Sequence, residues 1–299
     1  MNSKLVLTNL DMPAETRSVP VQLFYWNRLT TVLKYALLIL LALIMIVPFF
    51  WMLSTSLKSQ EFILQTPPQI IPDPVTTSSY TDLFDLMPIS RMFRNSLFVA
   101  VMGTAGQIWV SAMAAYAFGR LQWRGRDTVF LLYLATMMVP TQVTLIPQFI
   151  LMRQLDWVNT YQALILPATF SAFGTFLLRQ SFLTLPREIE EAAVLDGANH
   201  FTIFWRIILP LTKPALGSLA VFSFMGLWNN YLWALFVARD QDYMTLPVGL
   251  AALQGGLRNL TEWNLVMAGA VITVLPMLLV YLIAQRSFVQ GVATSGIKG

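Results

Sequence analysis

The chain has 299 residues, a formal net charge of +4, 11% charged residues and 56% hydrophobic ones, with a mean hydropathy of +0.62. Soluble domains carry about a quarter charged residues, so much of this surface must face lipid rather than water. Cysteine is absent and His200 is the single histidine, which excludes disulfides and thiolate or histidine-cluster metal sites.

A bilayer core of about 30 Å asks for roughly 20 apolar residues per helix. Residues 1–32 come first and are polar and mixed, without the early apolar run and small-residue cleavage site of a signal peptide; they read as a retained tail. Six apolar runs follow. The first is Leu33 to Leu53. The second, Asn95 to Phe118, carries Gly103, Gly106, Ser111 and several alanines, which suits close helix packing. The third, Thr128 to Leu151, contains Pro140 and Pro147 and is predicted to bend or unwind. The fourth is Gln162 to Phe182, the fifth Pro214 to Val237 and the sixth Trp263 to Ala284. The predicted fold is therefore an all-α integral membrane bundle of six helices over 33–286, with tails at 1–32 and 287–299.

Six spans put both ends on one side. Of the 19 Lys and Arg residues, thirteen fall in the tails, at the span ends beside them (Lys34 and Arg286), in the 119–127 loop and in the 179–213 segment. Six fall on the other side, so both termini are predicted to be cytoplasmic. The segment 54–94, with Pro67, Pro68, Pro72 and Pro74, is then an extracytoplasmic loop. Basic residues spread this thinly form no nucleic-acid patch; lipid is the expected surrounding.

No charged side chain lies inside the runs away from their ends. Intramembrane charge marks proton and ion coupling, so a secondary transporter is disfavoured, and a membrane enzyme would need a converging acid, base or metal set. The polar groups inside are neutral: Gln107, Gln142, and Asn229 and Asn230 beside Trp228 and Tyr231. Amides and indoles suit an uncharged hydroxyl-rich solute; the same groups also serve as interhelical glue. No G-x-x-x-x-G-K-[ST] loop is present, so ATP, if used, is bound elsewhere.

Between runs four and five stands LPREIEEAAVLDGANHFTIFWRIILPLTKP, Leu185 to Pro214. Thr184 can cap a helix whose first turn holds Glu188, Glu190 and Glu191. Gly197 can adopt the left-handed conformation that ends it, and Asn199 can cap a second helix bearing Phe201, Phe204, Trp205 and Ile208. So apolar a surface must be covered by a partner or by the spans, or lie on the membrane.

Glu191-Ala192-Ala193, Asp196-Gly197, Ile207 and Leu209-Pro210 together resemble the EAA loop of ATP-binding-cassette importer permeases. Within that group the chain is similar to the smaller membrane subunit of maltose-type carbohydrate permeases. MMVPTQVTLIPQFILM, LWNNYLWALFVA, TLPVGLAALQG and the closing GVATSGIKG extend the likeness over roughly residues 33 to 299. The 1–32 tail is longer than the family's, and Asn230 stands where many relatives have an acidic residue.

The resemblance implies a type I importer permease in the bacterial inner membrane that carries out no catalysis. Its partners would be a second permease subunit, two cytosolic ATPases that hold the ATP and magnesium, and an extracytoplasmic solute-binding protein. The loop 183–213 would couple to the ATPase through Glu191, Ala192, Ala193, Asp196, Gly197, Asn199, Phe201, Arg206, Leu209 and Pro210, with Phe204 and Trp205 as an outward knob. Gln142, Trp228, Asn229, Asn230 and Tyr231 would border the solute path, and Gln254, Gly255 and Gly256 would reach the binding protein. The cargo would be a sugar; the alternatives are a polyol, a glycerophosphodiester or an osmolyte.

Overall fold

The computed structural model describes the backbone of residues 21–254 and 262–296 and the side chains of 30–254 and 262–285. All regular structure among the described residues is helical. The chain divides into two units, Met1–Trp51 and Met52–Gly299. The first holds most of α1 (Val21–Ser56), which has neither charge nor glycine from Tyr35 to Leu53. A helix apolar on every side and of that length is a membrane span. It begins at Val21, inside the segment read as a tail, since no proline or glycine interrupts 21–47.

In the second unit, Ile89–Gly119 and Trp263–Gln285 are each long and apolar enough to cross a membrane, as is Thr30–Ser56 in α1. Three bent pairs meet the same criterion together: Arg126–Met138 with Thr141–Gln154, Tyr161–Thr169 with Ala172–Leu183, and His200–Leu211 with Lys213–Trp228. Counting each pair as one gives six spans. The last helix runs Trp263–Gly296, through most of the segment read as a C-terminal tail; no proline follows Pro276 to stop it.

Each break has a local cause. Helices α2 (Gln60–Ile63), α3 (Ser78–Leu86) and α4 (Ile89–Gly119) lead to α5 (Arg126–Ala135), which a 3-10 turn extends to Met138 before α6 (Thr141–Gln154). The two halves meet at 98°. Pro140 excludes the helical conformation from the residue before it, and Val139 is extended (φ −83°, ψ 115°). Pro147 stays inside α6 without breaking it.

The fourth run, expected to be continuous, splits into α7 (Tyr161–Ile165), a 3-10 turn Leu166–Thr169 and α8 (Ala172–Leu183). Pro167 lacks an N–H for the ladder, and Ser171 starts α8 by accepting the Gly174 N–H at 3.0 Å.

The loop described below contributes α9 (Glu188–Leu195), α10 (His200–Ile203) and α11 (Leu209–Leu211). The fifth run is broken too. α12 (Lys213–Trp228) stops at Asn229-Asn230, and α13 (Leu232–Val237) follows, capped by Asn230, whose Oδ1 accepts the Trp233 N–H at 3.3 Å. Asparagine side chains compete for backbone groups and favour such interruptions. α14 (Leu246–Gln254) and α15 (Trp263–Gly296) complete the series.

Helix α4 is central to this unit. Met92 and Ala100 enter a cluster with Leu83, Trp228, Leu246 and Leu265. Val99 joins Met152, Leu164 and Val237. Ala112, Ala115 and Tyr116 join Leu178, Phe182, Ile203, Phe204, Ile208 and Leu219. Small residues permit this approach: a Cβ on Gly174 would stand 2.6 Å from the Ser111 oxygen and 3.2 Å from Leu219. Gly174→Val is expected to lower the detergent melting temperature, at a cost of about 1–3 kcal/mol, while Gly226→Ala, whose Cβ meets nothing within 4 Å, lowers it far less. Equal melting of the two variants would remove this contact from the account.

The segment after α1 folds over the end of the bundle that carries α3. Ser54 Oγ donates to the Ile70 carbonyl at 2.6 Å, Ser56 Oγ lies 2.9 Å from the Tyr80 hydroxyl, and Asn264 of α15 donates to Ser79 at 3.2 Å. Lys58 is buried there and donates to the Gln69 carbonyl, and burial holds its ammonium below its ordinary pKa.

Candidate functional site

The loop between α8 and α12 is built from local rules. Glu188, Glu190 and Glu191 occupy the first turn of α9, where carboxylates oppose the helix dipole. The helix ends in a Schellman motif: Gly197 N–H donates to Val194 at 3.0 Å and Ala198 N–H to Ala193 at 2.9 Å. That closure requires the positive φ of +82° at Gly197. Asn199 then caps the next helix, its Oδ1 accepting the Thr202 N–H at 2.8 Å.

α10 passes into a π-helical turn, Phe204–Ile208, and then into α11. Pro210 cannot donate to a preceding carbonyl, and Leu209 N–H bonds Phe204 five residues back, the wide register a ring in the next position favours. His200–Leu211 meets α12 at 79°.

The loop has two apolar faces. Ile203, Phe204 and Ile208 point inward to α4, α8 and α12. Phe204 is 4% exposed and its ring lies 5.2 Å from Tyr116. The outward aromatic knob therefore excludes Phe204: Phe201, 68% exposed, and Trp205, 51% exposed, form the outer face. Glu191, Ala192, Asp196, Asn199, Arg206 and Pro210 are exposed with them, and Ala193 and Leu209 are half-buried. Leu195, just before the turn, is almost fully exposed and extends this face; a leucine beside Asp196-Gly197 gave no sequence sign of pointing outward. A cavity of about 220 Å³ opens beside the loop, lined by Met113, Tyr116, His200, Phe201 and Phe204.

One pair was not singled out from sequence. Arg120, the residue that ends α4, has its side chain 2% exposed and forms an ion pair with Glu190. It also donates to the Leu185 carbonyl at 3.1 Å and to that of Pro186 at 3.4 Å. Nearby, Arg179 of α8 donates to the Phe118 carbonyl at 3.1 Å, lies 3.6 Å from Asp127 and stacks over Phe130 at 4.2 Å.

A second feature sits where the broken spans meet. A cavity of about 270 Å³ is lined by Thr141 and Gln148 of α6, Asn230, Leu232 and Trp233 after the break in span five, and Pro167 and Ala168 of the 3-10 turn. Of Gln142, Trp228, Asn229, Asn230 and Tyr231, the structure brings Asn230 to this lining. Trp228 is 1% exposed and locked in the core: its Nε1 donates to Thr273 at 3.1 Å and its ring stacks on Phe224. That places Trp228 away from an open path, because its large ring fills the junction of α4, α12 and α15. Asn229 Nδ2 donates to Met225 on its own helix at 2.9 Å. Gln142 and Tyr231 are exposed elsewhere. Gln148 lines this cavity and Gln142 does not; the one sequence sign of Gln148 was an amide within an apolar run.

At the opposite end from the loop, a cavity of about 520 Å³ is lined by Arg91, Arg94, Asn95, Tyr161, Asp242 and Tyr243. Buried Asn95 frames it, donating to the Asp242 and Met244 carbonyls at 2.9 Å and accepting the Tyr161 hydroxyl at 2.8 Å. Gln254 ends α14 and is exposed; Gly255 and Gly256 lie outside the described residues.

Residues 107–294 match the family described as binding-protein-dependent transport system inner membrane component. The chain is similar to the arabinooligosaccharides transport system permease protein AraQ of Bacillus subtilis, 35% identical over 263 residues, covering 87% of this chain and 93% of that protein. It is also similar to the sn-glycerol-3-phosphate transport system permease protein UgpE of Pectobacterium atrosepticum, 36% identical over 248 residues, covering 81% and 88%. Among solved structures it resembles a bacterial ABC transporter involved in the import of the acidic polysaccharide alginate, with a TM-score of 0.78 and 25% identity over 87% of this chain and 96% of that one.

Proposed function

Because the chain belongs to the binding-protein-dependent transport system inner membrane components, we propose that it carries a neutral sugar or short oligosaccharide across the membrane. It is a multi-pass permease subunit of an ABC importer that works with a binding protein, and transport rather than catalysis is its task. The observation that carries the choice of solute is the cavity at the broken spans. Thr141, Gln148, Asn230 and Trp233 offer it hydroxyl, amide and indole groups and no charge, a set that hydrogen-bonds hydroxyls and stacks on sugar rings. A phosphorylated or acidic cargo is the second reading, favoured by Arg94 at the outer cavity, where Arg91 is already paired with Asp242.

In this reading a second permease completes the pathway, and two cytosolic ATPases bind ATP and magnesium and grip the face formed by Leu195, Phe201, Trp205 and Arg206. Glu191 and Asp196 supply polar contacts, and rocking of the broken spans alternates access. The test is the reconstituted complex with its binding protein: ATPase stimulation by a neutral arabino-oligosaccharide, and none by sn-glycerol-3-phosphate, is expected. The reverse preference would overturn the neutral cargo.

Orientation has its own test. The native chain has no cysteine, so a single one introduced at exposed Thr77 or Gln254 is expected to react with an impermeant thiol reagent added to intact cells. One at Glu188 should react only after lysis, and labelling of Glu188→Cys in intact cells would invert the topology.

A further inference from the structure

We propose that Arg120 and Glu190 are positioning residues that make the coupling loop turn together with span two, an inference that rests on the loop's coupling role above. Helix α9 buries none of its own residues, so packing alone holds it weakly. Its polar anchorage is Arg120, which pairs with Glu190 and also holds the Leu185 and Pro186 carbonyls that lead into the helix. The charge-assisted pair is nearly sealed from water on the arginine side, where such bonds are strong and poorly screened.

The same face of α4 holds the loop a second time. Tyr116 precedes Arg120 by four residues, so the two side chains lie one above the other, and Tyr116 packs on Phe204 beyond the Gly197 turn. A single contact is a pivot about which the loop can swing while the span stays still. Two contacts spaced along one helix, one on each side of a hydrogen-bonded turn, transmit rotation as well as translation. Neighbouring Glu191 is left exposed, so one acidic residue of the pair faces the span and the next faces outward. Arg179, tied to Phe118, Asp127 and Phe130, braces the same end of α4 against α5 and α8.

The experiment measures solute moved per ATP hydrolysed by the complete complex in proteoliposomes, normalised to assembled complex. Glu190→Gln is expected to lower that ratio at least fivefold, because the ATPase then moves a loop that swings on Phe204. The exchange Arg120→Glu with Glu190→Arg is expected to recover more than half of the lost ratio. Arg120→Lys keeps the charge but cannot reach the pair and both carbonyls at once, and should fall between. A parental ratio in both Glu190→Gln and Arg120→Lys, even with less complex assembled, would show a purely structural pair and overturn the proposal. Gly197→Val serves as the reference. If it lowers uptake while the ratio in both Glu190→Gln and Arg120→Lys is parental, this inference alone fails; if it too leaves uptake unchanged, the coupling role of the loop fails with it.

Discussion

Gly197→Val is expected to lower solute uptake about tenfold while the spans still insert and the complex still forms. Gly197 holds φ at +82°, where a β-branched residue is strained. The left-handed conformation costs a side chain about 1–2 kcal/mol, and a change of that size shifts a local equilibrium by a factor of roughly 5–30. The Schellman bonds from Gly197 to Val194 and from Ala198 to Ala193 depend on that angle. Without them α9 no longer ends where Asn199 can start the next helix, and Phe201 and Trp205 lose their fixed direction. A Cβ at 197 meets nothing within 4 Å, so no clash confuses the result. Gly197→Asn is the control, since asparagine visits this region readily; it should keep most of the uptake. Parental uptake in the valine variant would take the turn out of the coupling path.

How much of this could be read from sequence depended on whether the cause was local. The bilayer imposes length and hydrophobicity on each crossing, so six runs were visible without any knowledge of packing. Gly197 and Asn199 were legible for a similar reason, because each acts on backbone groups within a few residues. Breaks in spans four and five were hidden inside continuous apolar runs, although Pro167 and the paired asparagines mark them.

The direction of Phe204 could not be read, because Phe201, Phe204, Trp205 and Ile208 share one face of a regular helix. The structure divides them through a π turn, with one apolar face in the core and the other exposed. Arg120 and Glu190 stand 70 positions apart, and no spacing rule connects them. Trp228 looked like a sugar platform, but its partner is the Thr273 carbonyl of α15, a contact only the tertiary fold reveals.

Gln148→Leu and Asn230→Leu are expected to reduce uptake of the cargo by different routes. Each removes an amide from the cavity among the broken spans. A passing hydroxyl left without its hydrogen bond loses about 1–3 kcal/mol, equivalent to a fall in rate of roughly 5- to 150-fold. Asn230 also caps α13 through the Trp233 N–H, and a lost cap costs about 1 kcal/mol, so its leucine variant should melt earlier as well. The Gln148 side chain makes no hydrogen bond to another described residue, so Gln148→Leu should transport poorly at parental thermal stability. Melting and solute-stimulated ATPase measured on one detergent preparation of each variant separate the two roles. If Gln148→Leu transports normally, and Asn230→Leu loses stability but no uptake once assembled complex is equalised, these amides hold the helices and the solute passes elsewhere.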